Sequence, residues 1–338
     1  MLHLLRLYLL RLFTGFAIFL TPAMLVANDV KLFETSLIDL QFVDGEIIGR
    51  DKNGQTYALS IENNDLTLNT NTLPNYTYDN IDILPDGEIA QSLGTIRRAW
   101  LGGVTKRYDH GVLGDAMEAS RLYIVDENNQ QHVVELPPLQ VFEDRYPRLA
   151  DINNDSDAEA VVIRTDVNTG AAIASYGIKN NKLTLYAVSK SIGLSHRWLN
   201  IIGVADFDGD GQTEIAAVVT PHIGGTLTLY RQSGQELQVV LEKHGFSNHK
   251  YGSRELRLSA TYDFNNDGVM DIAVPNTNRR SLVLLTLKGG IYGELTRIEN
   301  PSEIKSGVYI FDIDKDDTTE LVYLLDDKSL AVVRADIH

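Results

Sequence analysis

The stretch ADFDGDGQTEIAAVV, residues 205–219, decides how the chain reads. Counted from Asp206, carboxylates stand at positions one, three, five and nine, which are Asp206, Asp208, Asp210 and Glu214, and Gly211 stands at position six. Side chains on alternate residues, joined by the backbone carbonyl of Gln212, converge on one point if the glycine allows a sharp turn. A hard cation such as Ca²⁺ takes a shell of that kind, built from oxygens. Without a cation the same charges repel one another. The residues that follow, Ile215 to Val219, are apolar and partly β-branched, so the loop feeds a strand.

The same pattern recurs three more times without gaps: ADINNDSDAEAVV from Ala150, YDFNNDGVMDIAV from Tyr262 and FDIDKDDTTELVYLL from Phe311. The first aspartates, Asp151, Asp206, Asp263 and Asp312, are 55, 57 and 49 residues apart, close to the length of one four-stranded unit. Candidate ligands in the Tyr262 copy are Asp263, Asn265, Asp267, the Val269 carbonyl and Asp271, with Gly268 at position six. The Ala150 copy offers Asp151, Asn153, Asp155, Asp157 and Glu159, with Ser156 replacing the glycine. The Phe311 copy offers Asp312, Asp314, Asp316, Thr318 and Glu320, with Asp317 at position six and Lys315 adding an opposing charge. The two middle loops are therefore expected to bind best. An EF-hand is excluded, since it needs a helix after the loop and a glutamate at position twelve.

Between these anchors run short strands rich in Val, Ile, Leu and Tyr. The turn pairs Asn180-Asn181, Ser233-Gly234 and Gly289-Gly290 suit an outer hairpin in each unit. Weaker anchors, Asp44-Gly45-Glu46-Ile47 and Asp86-Gly87-Glu88-Ile89, lie upstream. Units that cannot bury both faces alone must stack, and closing the stack into a ring shields those faces. The expectation is one all-β domain over residues 28–338, a β-propeller of six four-stranded blades. Seven remain possible because the 69-residue interval from Asp86 to Asp155 has room for a degenerate copy near Asp115. The C-terminal blade is too short by itself, and a strand near Leu37–Leu40 is expected to complete it.

The four loops resemble the FG-GAP/VCBS repeat, the calcium-loop blade of integrin α-chain propellers and of many exported bacterial proteins. The FG and GAP signatures are mostly missing, so the resemblance is closer to the VCBS-like bacterial variants. It implies a calcium-stabilised propeller used for binding and adhesion, with catalysis uncommon; the related integrin propellers have seven blades.

Composition narrows the partners. Thirty basic against 46 acidic residues give a net charge of −16, which argues against nucleic acid and anionic membranes. Cysteine is absent, which excludes thiol chemistry and disulfides. Residues 1–27 carry Arg6 and Arg11, no acidic residue and an apolar run, and read as a secretory signal or an uncleaved N-terminal anchor. An exported monomer, periplasmic or extracellular, is the expectation. Its ligand, a protein or a glycan, is expected at His196, Arg197, Trp198, His222, His249 and Arg254, whose loops hold similar places in successive repeats. The alternative is an envelope enzyme acting on a carbohydrate or anionic substrate at the central funnel, although no catalytic motif selects a set of residues.

Overall fold

The computed structural model describes residues 30–71 and 81–335. The leader expected over residues 1–27 lies outside them. Among the described residues the chain is all-β apart from one 3₁₀ turn at Lys288–Gly290. An N-terminal strand β1 (Val30–Glu34) precedes a run of four, β2 (Leu37–Val43), β3 (Glu46–Asp51), β4 (Thr56–Glu62) and β5 (Asp65–Asn71). The next run is β6 (Ala90–Gln91), β7 (Ile96–Thr105), β8 (Glu118–Asp126) and β9 (Gln131–Glu135), followed by the short β10 (Gln140–Phe142). Then come β11 (Arg148–Ala150), β12 (Glu159–Asp166), β13 (Gly170–Lys179) and β14 (Lys182–Ser189). A further run holds β15 (Leu199–Ala205), β16 (Glu214–Val219), β17 (Thr226–Ser233) and β18 (Glu236–His244). The last strands are β19 (Ala260–Tyr262), β20 (Asp271–Pro275), β21 (Ser281–Thr286) and β22 (Gly293–Glu299), then β23 (Tyr309–Phe311), β24 (Glu320–Leu324) and β25 (Ser329–Arg334).

Within each run neighbours pair antiparallel in chain order, as short turns require. Asn180-Asn181 and Ser233-Gly234 make the expected outer hairpins, between β13 and β14 and between β17 and β18. Hydrophobic side chains fill the spaces between successive sheets. Val161, Ile163 and Ile173 meet Ile201, Ile215 and Ala217 in one such layer, and Ala216, Val218 and Leu229 meet Ile272, Val274 and Val283 in the next. Sheets stacked face to face in sequence order, with their first strands β6, β11, β15, β19 and β23 packed as successive neighbours, give a propeller-like arrangement.

Two joints weld part of the stack. β10 pairs with both β8 and β12, and β14 pairs parallel with β18 at Val188–Ser189 against Glu236–Leu237. Thirteen strands thereby become one continuous sheet, whereas the other three sheets have four strands each.

Three expectations are corrected. The strand completing the last sheet is β1, paired with β25 from Val30↔Val333 to Glu34↔Ser329, and Leu37–Leu40 instead begins the first run. Asp86-Gly87 precedes β6, so the turn equivalent to the acidic loops falls at residues 92–95. Asp115 belongs to the loop joining β7 to β8, and no further repeat forms there.

Candidate functional site

Each acidic loop joins the first and second strands of its run, and position nine is the first residue of the second strand. Glu159, Glu214, Asp271 and Glu320 are thereby drawn into the sheet and are 3% exposed or less. One oxygen of each accepts the backbone N–H of position two: Ile152 at 3.1 Å, Phe207 at 3.0 Å, Phe264 at 3.0 Å and Ile313 at 3.1 Å. The position-one aspartate folds the loop over itself by accepting the N–H of position six at 2.8 Å from Ser156, Gly211 and Gly268, and at 3.2 Å from Asp317. Position six has positive φ in every copy, between 65° and 86°. Position four does as well, at Asn154, Gly209, Asn266 and Lys315. Glycine or asparagine suits both places.

Three carboxylate oxygens from Asp206, Asp208 and Asp210 lie within 4.8 Å of one another, and those of Asp312, Asp314 and Asp316 do likewise. Either set could hold a metal. The buried Oδ1 of Asp271 and that of Asp314 have no hydrogen-bond partner, as an oxygen reserved for a cation would not. Burial pushes position nine toward its neutral form, up to about 7 for Glu159 and about 6 for Asp271, and a bound cation would reverse that. These donor sets fit an oxygen-coordinated divalent ion. The Asp206 loop differs, because the Arg231 guanidinium from β17 lies among its acids. It reaches Asp208 at 2.8 Å and Asp210 at 3.0 Å, and also pairs with Glu214.

The strand connections place the expected recognition residues at the opposite strand ends. His196 and Trp198 lead into β15, His222 joins β16 to β17, and His249 joins β18 to β19. Four of the six converge. His222 Nε2 is 2.8 Å from His249 Nδ1, and His249 Nε2 donates to the Ser253 carbonyl at 2.9 Å. A carbonyl only accepts, so His249 carries its proton on Nε2 and its Nδ1 accepts from His222. Trp198 lies against both rings, 4.7 Å from His249 and 6.1 Å from His222, and anchors its own Nε1 on the Glu143 carbonyl. Burial lowers His222 to about 4 and His249 to about 3, so both are neutral near pH 7.

The 106–117 loop supplies further neighbours. Tyr108 stacks on His196 at 5.1 Å, and His110 meets both His196 and Tyr251 edge-on. The loop is pinned across this face by the Gly252 N–H on the Val112 carbonyl, by Tyr251 on the His110 carbonyl and by Arg254 on Asp115. Beneath it His110 Nδ1 is 2.6 Å from Glu143, a fully buried carboxylate that Thr165 also serves. Glu118 and Glu143 flank the cross-strand pair Ala119↔Phe142, and burial beside Glu143 pushes Glu118 up to about 10. The signals for this loop in the sequence are the run Arg107-Tyr108-Asp109-His110 and the overlong interval between anchors that holds it.

Arg197 and Arg254 do not join the histidines. Arg197 donates to the His196 carbonyl at 3.0 Å, and Arg254 lines a central cavity of about 790 Å³ with Arg145, Arg257, Glu88, Glu255 and Tyr309. Ser195, His196 and Asp109 form a chain of contacts at 2.9 and 3.5 Å, but the Ser195 hydroxyl donates to the Val167 carbonyl at 2.7 Å. Its proton points away from the imidazole, opposite to what a nucleophile–base pair needs.

Residues 206–274 match the family model of an FG-GAP-like repeat. The match runs from the first aspartate of one acidic loop to just beyond position nine of the next, and includes the two copies with glycine at position six. The chain therefore carries an FG-GAP repeat. A search of curated proteins finds no match.

Proposed function

We propose that the chain is an exported, six-bladed β-propeller that serves as a binding module, with acidic loops that take Ca²⁺ and a recognition face at the opposite strand ends. The carrying observation is this segregation. Every acidic loop joins a first strand to a second, whereas His196, Trp198, His222 and His249 sit on connections at the other end. The FG-GAP-like repeat supports a binding or adhesion role, and runs of four strands over the described residues support six blades. Export rests on the leader-like residues 1–27.

On the recognition face Tyr251, Leu194 and Ile223 are 57–62% exposed, and His196 is half-exposed. Aromatic and aliphatic side chains beside the neutral imidazoles of His222 and His249 suit a glycan or a protein loop better than a strongly charged ligand. The test is a glycan array and a binding screen against purified envelope proteins, using wild type, Tyr251→Ala and Ile223→Asp, with Gln212→Ala on the acidic-loop end as control. Binding should fall at least tenfold in the first two variants and hold in the control. Equal binding by all of them would remove the recognition face from the proposal.

A further inference from the structure

Position nine of each acidic loop begins a strand, so the next strand places one residue directly across from it. The ladders identify that residue in every copy. Glu214 faces Arg231 and Glu320 faces Arg334. One step beyond Ile272↔Leu285 sets Thr286 opposite Asp271, and one step beyond Ala160↔Tyr176 sets Gly177 opposite Glu159. Loops alike in sequence thus differ in a residue that stands 14 to 18 positions away from position nine, 214 to 231 being 17.

The consequences differ in kind. Arg231 is mostly buried and places one guanidinium on Asp208, Asp210 and Glu214, three of the four acids that would surround an ion. Its Nε also donates to Glu214 at 2.7 Å. A forked, permanently charged group that satisfies several carboxylates together occupies the volume and the lone pairs a metal would use. Arg334 reaches only Asp316, and its side chain is 58% exposed. Thr286 brings no charge. In that loop Lys288 approaches from outside to Asp267 alone, and the 1%-exposed Asp271 keeps Oδ1 without a hydrogen-bond partner.

We propose that the residue across from position nine selects which loop takes a divalent cation: Arg231 is a built-in counter-cation that partly neutralises the Asp206 loop and fills the place of an ion there, and Thr286 leaves the Asp263 loop open to the ion. This rests on the calcium reading above and reverses one part of the sequence expectation, which ranked the Asp206 loop among the two best. Nothing inside residues 205–219 carries the difference.

The test is ⁴⁵Ca²⁺ equilibrium dialysis of the purified chain at 1 mM free Ca²⁺, with circular dichroism to verify folding. Asp206→Asn should leave the number of bound ions unchanged in wild type, while Asp263→Asn should lower it by one. Arg231→Thr should raise it by one, and adding Asp206→Asn to that variant should cancel the gain. Should Arg231→Thr not fold, Thr286→Arg reads the same rule in reverse and should remove one ion. Loss of an ion on Asp206→Asn in the wild-type background would overturn the selection rule and leave the calcium reading intact. An unchanged count in Arg231→Thr would overturn the rule as well. No bound ion in wild type or any variant would overturn both.

Discussion

The Asn154 side chain spans two acidic loops: its amide donates to the Gly211 carbonyl at 2.9 Å and its Oδ1 accepts the Thr213 N–H at 3.3 Å. Position four of one loop thereby holds positions six and eight of the next. Asn154 also adopts φ of 60°, so it meets a local backbone demand and a neighbour's hydrogen bonds together. Asn154→Gly keeps the conformation and loses the clasp, and should cost about 1 kcal/mol; Asn154→Ala loses both and should cost about 2 kcal/mol. Urea unfolding of the two variants separates the contributions, and equal midpoints for Gly and wild type would show the clasp to be energetically idle.

Ser156 and Asp317 hold position six at φ of 73° and 65°, where the two middle loops have glycine. Replacing either by glycine should relieve backbone strain, partly offset by the greater freedom of glycine in the unfolded chain. A net gain of about 0.5–1 kcal/mol is expected from each, read from thermal melts in chelator so that ion binding does not contribute. Gly268→Ala should move the melt in the other direction.

Calcium should raise the melting temperature. With a Kd of about 10⁻⁴ M and about 1 mM free ion, each filled site adds about 1.4 kcal/mol. Asp263→Asn should remove one such increment, whereas Asp206→Asn should change the calcium response little because Arg231 already serves that loop. Melts with and without chelator give the comparison. A melting curve indifferent to calcium in wild type would contradict this expectation.

Acid should destabilise the chain through His249. Its neutral form is enforced by burial, with His222 and the Arg279 guanidinium adding repulsion to the charged form and the Ser253 carbonyl opposing them. An unfolded imidazole titrates near 6.5, and His249 in the fold near about 3. The folded value is depressed, so its contribution is complete above pH 6.5 and is lost progressively as pH falls toward 3. At pH 5 the loss is about 2 kcal/mol for His249, and His222, lowered by burial to about 4, loses stability in the same window. Unfolding free energies of wild type and His249→Gln at pH 7.5 and 5 provide the check: the variant should be weaker at pH 7.5 and show a shallower acid slope.

Much of the repeat was legible because its causes are local. Alternating acids, the turn residue at position six and the apolar run after position nine all lie within about fifteen residues, and the strand, loop and hairpin assignments built on them hold. Position four escaped notice because asparagine, glycine and lysine share no obvious chemistry until φ shows what they have in common. The Asp86-Gly87 anchor misled because an Asp-Gly pair serves any tight turn, here one before the first strand of its run. Leu37–Leu40 and Val30–Glu34 are both apolar enough to end a sheet, and only the ladder to β25 tells them apart. Of the side chains clustered at that end, His196, Trp198, His222 and His249 are legible through their matching places in the repeat. Tyr108 and His110 join through a loop that the repeat does not contain, and Tyr251 through the connection that also carries His249. Arg231 was invisible for a third reason, since its effect depends on cross-strand register.

The pairing of Val30 with Val333 joins residues 303 positions apart, which gives synthesis of the chain a direction. Val30–Glu34 leaves the ribosome long before its partner strand exists, and its backbone groups must wait in solvent while the intervening sheets assemble. Only when Ser329–Arg334 emerges can the last sheet acquire its fourth strand. A product broken off before Ser329 would keep β24 and β1 as open edges, the kind of surface that recruits a strand from another molecule. At high concentration even intact chains can trade their first strands, each filling the other's open sheet. The seam is thus both a lock on the finished molecule and an inspection point at which incomplete copies betray themselves by aggregating.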